Sequence, residues 1–262
     1  NPGTKFISGT IDIATDNAGV NIVTVHFTYV TEKTAKGSTN ATFTTLMNII
    51  DKKFGTVMAN GKENAAKLRI DSALGLNEFY SDRNGTEELV SVKRNEGGFV
   101  HVADSLAEDE NTRNTFTCDM LITNVSIKEA DEEKNLPEKA VIKGAIFDFR
   151  GSLLPVEFSA INPKAIDYFD SLGASSKNPT FTKLWGRQVS ETITRTITEE
   201  SAFGEDSVRE VKSSRKDFVI TGASKEPYEW DSEDSITANE LAEAIAARET
   251  YLATIKARQD EY

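Results

Sequence analysis

The sequence predicts a mainly β protein, built as two repeated five-stranded units followed by a C-terminal α-helix. Three observations predict it. Short strand-like patterns recur in the same order in both halves, helix-forming runs are scarce before residue 237, and acidic residues collect outside the repeats.

A repeat constrains a fold before any single motif does. Phe6-Ile7-Ser8-Gly9-Thr10-Ile11 matches Val141-Ile142-Lys143-Gly144-Ala145-Ile146, with glycine at the same place. Asn40, Thr42, Phe43, Thr44 and Leu46 then match Asn178, Thr180, Phe181, Thr182 and Leu184 without a gap. Near the end of each copy, Val92-Lys93 precedes Phe99-Val100 as Val211-Lys212 precedes Phe218-Val219. These landmarks divide the chain into a first repeat (1–104), an acidic connector (105–138), a second repeat (139–225) and an acidic tail (226–262). Whether Met120 to Lys128 is the first strand of the second repeat or part of the connector stays open at this level.

Each copy reads as strands. Residues 21–30 are β-branched and aromatic with partial alternation, the mark of a half-buried strand. Residues 139–149 and 153–161 predict a hairpin around Arg150-Gly151-Ser152, residues 188–198 a further strand, and Asn84-Gly85 a tight turn. Glycine inside a strand, as at Gly9 and Gly144, predicts a bulge or sharp coil in a curved sheet. A short helix is expected after Asn162, with Pro163 at its first position, Ile166 and Phe169 inward and Gly173 at its end.

The acidity is segregated. Residues 104–138 and 226–262 each hold ten acidic and three basic residues, whereas the rest of the chain is near neutral within a total of −12. No apolar run approaches the roughly 18 residues that cross a membrane, so no membrane partner is expected. Neither is there a basic-then-apolar leader, and the lone Cys118 forms no internal disulfide. A cytoplasmic protein is expected, in the host cytoplasm if phage-encoded.

Catalytic signals are missing from the pattern. His26, His101 and Cys118 have no metal-ligand spacing, and no nucleophile elbow, phosphate loop, dinucleotide fingerprint or zinc-protease helix is present. Carboxylate pairs such as Asp148 and Glu157 are unremarkable among 42 acidic residues. The expectation is a protein that is not an enzyme and takes no cofactor and no metal.

A single-strand groove needs cations for phosphates and exposed aromatics on which bases stack. Phe181, Lys183, Trp185 and Arg187 alternate, so on one strand they share a face. The alternative is that both aromatics point into the core while the cations sit at its rim. A second basic and aromatic set is Lys93, Arg94, Phe99 and His101, matched by Lys212, Arg215, Lys216 and Phe218. Phe79, Tyr80 and Arg83 form a weaker third set.

The C-terminal helix is announced by a capping box of Thr237 and Glu240. Leu241, Ile245, Leu252 and Ile255 follow on one face, serving either docking on the same chain or partner binding. Arg248 interrupts that stripe.

The pattern resembles the OB-folds, small closed barrels of five strands with one helix and a kinked, glycine-bearing early strand. Thr182-Lys183-Leu184-Trp185-Gly186 is similar to the aromatic strand of tandem OB-fold single-stranded DNA-binding proteins, and the acidic tail is similar to that of phage and bacterial ones. The resemblance implies two OB-like barrels that bind single-stranded DNA in phage or bacterial replication or recombination. Protein partners would be recruited through the C-terminal segment. The competing expectation is a phage tail or capsid component built from duplicated β-domains, and a hydrolase with scattered carboxylates is a third.

Overall fold

The computed structural model describes residues 3–83, 85–131, 136–199, 203, 207–233 and 235–260, without the side chains of 83, 191–195, 197–199, 211–215 and 260. In the first unit β1 (Phe6–Ala14) and β2 (Ile22–Thr31) form an antiparallel pair. Two helices, α1 (Ala41–Ile50) and the short, kinked α2 (Val57–Asn64), lead to the long hairpin β3 (Leu68–Arg83) and β4 (Thr86–Val102). The sheet order is β1-β2-β4-β3, with β2 and β4 parallel through Val25–Asn95 and His26–Glu96. Alternation sets its inner face, because Val23, Val25 and Phe27 turn onto Val100 and onto Leu46 of α1.

The second unit is a closed barrel of β5 (Thr115–Lys128), β6 (Lys139–Phe147), β7 (Leu153–Ala160), β8 (Thr180–Glu199) and β9 (Ser207–Ala223). Its order is β5-β6-β7-β9-β8, and α3 (Pro163–Ser171) links β7 to β8. β5 closes the ring by pairing antiparallel to β8 with its first half and to β6 with its second. Met120, Ile122, Ile142, Phe158, Leu184 and Ile220 fill the interior, and Ile166 and Phe169 of α3 pack onto it. Phe158 stacks with Phe116 and Phe218 at centroid distances of 5.1 and 5.7 Å. Each such side chain, fully buried, stabilises the barrel by about 1.5–3 kcal/mol.

The expected hairpin at 150–152 and the Asn162-capped helix are present. The connector contains the first barrel strand, since Met120 to Lys128 lies in β5. Two expectations are corrected. The first unit is an open four-stranded sheet and no second barrel is seen among the described residues, because no strand there does for β1 and β3 what β5 does for β6 and β8. The second landmark joins unlike elements: Asn40 caps α1, its side chain accepting from the Thr42 amide, whereas Thr180 to Leu184 lie in β8. The first and third landmarks fall on strands at equivalent places in the two sheet orders, β1 with β6 and β4 with β9.

The long hairpins interlock the units. Lys93 of β4 donates to the Glu157 carbonyl of β7 at 2.6 Å, and its ammonium lies 5.2 Å from the Phe218 ring. In return, the Ser190 amide of β8 donates to Asn21 at 2.7 Å, and Asn95 donates to Gln188. The final helix, α4 (Ala238–Asp260), starts at the Thr237–Glu240 capping box and lies across β3 and β7. Arg248 bonds both Glu78 of β3 and the Leu153 carbonyl of β7. Among the described residues no helix is long and apolar enough to cross a membrane.

Cys118 sits half-buried in β5 against the barrel core. Burial, with Asp119 adding to it, pushes its thiol up to about 12. A rise of that size lowers the thiolate fraction, and hence reaction with a disulfide reagent near pH 8, by roughly 1000-fold relative to the unfolded chain. Comparing Ellman's reagent on native and guanidinium-unfolded protein checks this, and equal rates would mean that β5 is not seated. The unfolded chain also loses this proton first, so the group's contribution to stability falls as pH rises from about 9.

Candidate nucleic-acid interface

The structure separates the residues that the sequence put in one row. Phe181 is only 7% exposed, its ring 5.2 Å from Tyr228 and 6.3 Å from Phe147, so it packs and offers no face to a base. Beside it, between the β6–β7 turn and α4, is a cavity of about 560 Å³. Glu233, Glu240 and Glu243 line it with Arg150, a balance that repels phosphate. The capping contacts of Glu240 with Thr237 hold its carboxyl below the usual range, keeping it ionised.

Further along β8, Lys183 and Trp185 remain exposed. A Cβ at Gly222 of β9 would stand 2.2 Å from the indole nitrogen, so Trp185 lies directly against that glycine. Lys183 is opposite Asp119 in the β5–β8 ladder. Arg187 is half-buried and donates to Asn111.

The second set also divides. Lys93 is half-buried at the end of the barrel, where desolvation lowers its pKa against the opposing pull of Asp217 and Glu157. It therefore packs between units and does not reach for phosphate. Arg94 pairs with Glu96 of its own strand and reaches Asn77. Phe218 is buried in the barrel core. Lys216 is exposed, while the side chains of Lys212 and Arg215 lie outside the described residues. On α4, Leu241, Leu252 and Ile255 are half-buried and Ile245 is exposed.

An aromatic surface does form, on the first unit. Because Ile7, Val30 and Val100 turn inward, their neighbours Phe6, Tyr29 and Phe99 turn out. They are 53%, 56% and 68% exposed, unusually open for rings of this size. Phe6 and Tyr29 stack at 4.8 Å, and Phe99 lies 6.3 Å from the ring of His101. Tyr29 and Phe99 each lie three residues beyond the parallel pair His26–Glu96, which brings the two aromatic pairs onto neighbouring strands. Arg69 and His101 stand on either side of Asp71, at 3.1 and 3.7 Å. Sequence reading found Phe99 and His101 but missed Phe6 and Tyr29. The signal was there, since a strand whose inward residues are Ile7 and Ile11 turns Phe6 outward.

Among the described residues no group of three or more His, Cys, Asp or Glu is placed to hold a metal ion. Comparison with curated proteins and with solved structures finds no match. A family model does match, over residues 1–258, and by that match the chain belongs to the YorF family.

Proposed function

We propose that this protein binds single-stranded DNA without catalysis, in phage or bacterial replication or recombination. The observation that carries the reading is the open aromatic face of Phe6, Tyr29, Phe99 and His101. Stacked rings on a sheet surface suit unpaired bases, because every base offers a π-face. Strand connectivity supports it. A ring ordered β5-β6-β7-β9-β8, with a helix between the third and fourth strands, is an OB-like arrangement. The first sheet repeats that order without the first strand, which supports reading the chain as a duplicated OB-like protein. Oligonucleotides use the face of the second and third strands of such folds. In the first unit those are β1 and β2, which carry Phe6 and Tyr29. Lys183, Trp185 and Lys216 supply a second contact on the barrel, and α4 stands as the segment for protein partners.

The test is fluorescence anisotropy with a labelled oligo-dT of about 30 nucleotides at two salt concentrations, beside a duplex of equal length. Binding is expected for the single strand and to weaken with salt. Phe99→Ala is expected to lower affinity by about 1–3 kcal/mol, roughly 5- to 150-fold, and Trp185→Ala by less. Lys93→Met should leave the salt slope unchanged, as its ammonium is committed to Glu157 and the Phe218 ring. No binding at low salt would sink the reading. A tail or capsid component, favoured by the open edge of β1, would then take its place.

A further inference from the structure

The matched glycines of the two units have different surroundings. A Cβ on Gly144 of β6 would fall 1.9 Å from the Leu121 carbonyl oxygen and 3.0 Å from the Ile122 Cα, because β5 crosses there. On Gly9 of β1, at the same place in the pattern, it would meet nothing within 4 Å. The β1–β2 register shifts at Gly9, whose φ of +155° itself favours glycine, and the space that β5 occupies over Gly144 is open there. The helices agree. α3 packs on β5 and β6, whereas α1 reaches β1, β2 and β4. Between β1 and α1 there is a cleft of about 620 Å³, walled by Phe6 and Ile7 on one side and Phe43 and Met47 on the other. One lysine, Lys5, and one glutamate, Glu32, give it no net charge. β1 and β3, the strands that would flank an inserted strand, are the two edges of the sheet.

We infer that this cleft receives an extended strand from a partner protein, laid antiparallel to β1 so that its backbone crosses Gly9. Main-chain hydrogen bonds to the β1 edge would hold it, as in other cases of strand addition to an open sheet. Its side chains must alternate, apolar ones turning onto Ile7, Phe43 and Met47 and polar ones facing out. The occupant's character is read from β5, whose buried Met120 and Ile122 fill the corresponding place in the barrel. An uncharged cleft selects an apolar strand over an acidic or basic one. Occupancy would turn the open sheet into a second closed barrel. The inference does not rest on DNA binding.

The experiment is hydrogen exchange on the full chain, with and without a synthetic peptide of residues 115–128. A second peptide has the same composition but scrambled alternation. The β5 peptide is expected to slow exchange across residues 6–14 by at least tenfold and to leave 139–147 unchanged. The scrambled peptide should do neither. Gly9→Ala should abolish the effect by putting a methyl where the incoming backbone runs. Met47→Lys, on the opposite wall, serves if Gly9→Ala does not fold. The inference is overturned by no slowing at saturating peptide, or by unchanged binding in both variants. It is equally overturned if the amides of residues 6–14 that do not bond β2 are already protected in the protein alone. Protection that appears on raising protein concentration without peptide would make a second copy the occupant, and would overturn the partner strand too.

Discussion

Gly144→Ala is expected to unfold the barrel at a temperature roughly 10 °C below that of the parent protein. The new methyl would lie 1.9 Å from the Leu121 carbonyl oxygen. That atom belongs to the backbone of β5, so no side chain can swing aside to relieve the clash. Over-packing a core commonly costs about 1–3 kcal/mol, and displacing a ladder strand puts this case at or above the upper end. At that loss a chain of this size drops by several degrees for each kcal/mol. Gly9→Ala is the comparison: its methyl meets nothing within 4 Å, so its cost comes from the positive φ of +155° at Gly9 and not from a clash. Thermal melts followed by circular dichroism would decide. A Gly144→Ala protein melting within a degree or two of the parent would mean that β5 does not cross at this point.

Arg248→Ala is expected to detach α4 and to lower stability by about 3–5 kcal/mol, the usual result of leaving a buried charge without its partner. The carboxylate left behind is that of Glu78, whose side chain is 1% exposed, and Arg248 itself is 13% exposed. Water therefore cannot take over the ion pair, as it would at an exposed bridge such as Lys53–Asp51. The same guanidinium also bonds the Leu153 carbonyl, so its loss removes a tie to each unit at once. Replacing both partners by methionine should recover most of the stability, because an apolar pair of similar volume carries no stranded charge. Denaturant titration gives the energies, and limited proteolysis shows whether α4 has come free. A single-variant loss below 1 kcal/mol would show that the helix is held by its apolar face together with Gln259 and Lys256, and not by Arg248.

That second result bears on what the sequence could reveal. Arg248 interrupts the stripe of Leu241, Ile245, Leu252 and Ile255, where a heptad seam would be apolar. In three dimensions it is the residue that fixes the helix to its own chain, because Glu78, 170 residues earlier, is its counterion. No local pattern connects the two. The strands β2, β6 and β7, the break at Gly9 and the capped α3 were legible because each follows from alternation, a missing side chain or a cap. α1 was not, since Thr42, Thr44, Thr45, Ile49 and Ile50 have the β-branched composition of a strand. Only the Asn40 cap and the four-residue spacing of the buried Thr42 and Leu46 mark it as helix. Of the candidate site, the type of residue was legible and its location was not. Phe181 and Trp185 share strand parity, yet Tyr228 covers one while the other stays open. Burial by a segment distant in sequence is invisible to strand parity.

The exchange of hairpins between the units sets the order in which the chain can acquire its structure. Ser190 reaches back 169 residues to Asn21, and Gln259 reaches back 179 to the Tyr80 backbone. The first unit is synthesised long before either partner exists, so during translation its β3–β4 hairpin waits with Glu78 and Lys93 in water. Contacts of such sequence separation form late and slowly, because a long loop must close before any of them is gained. An open edge at β1 is then exposed through much of the folding process as well as after it, when unpaired strands are most prone to associate. The two halves look like independent copies in sequence, but in this architecture they reach their final state only together.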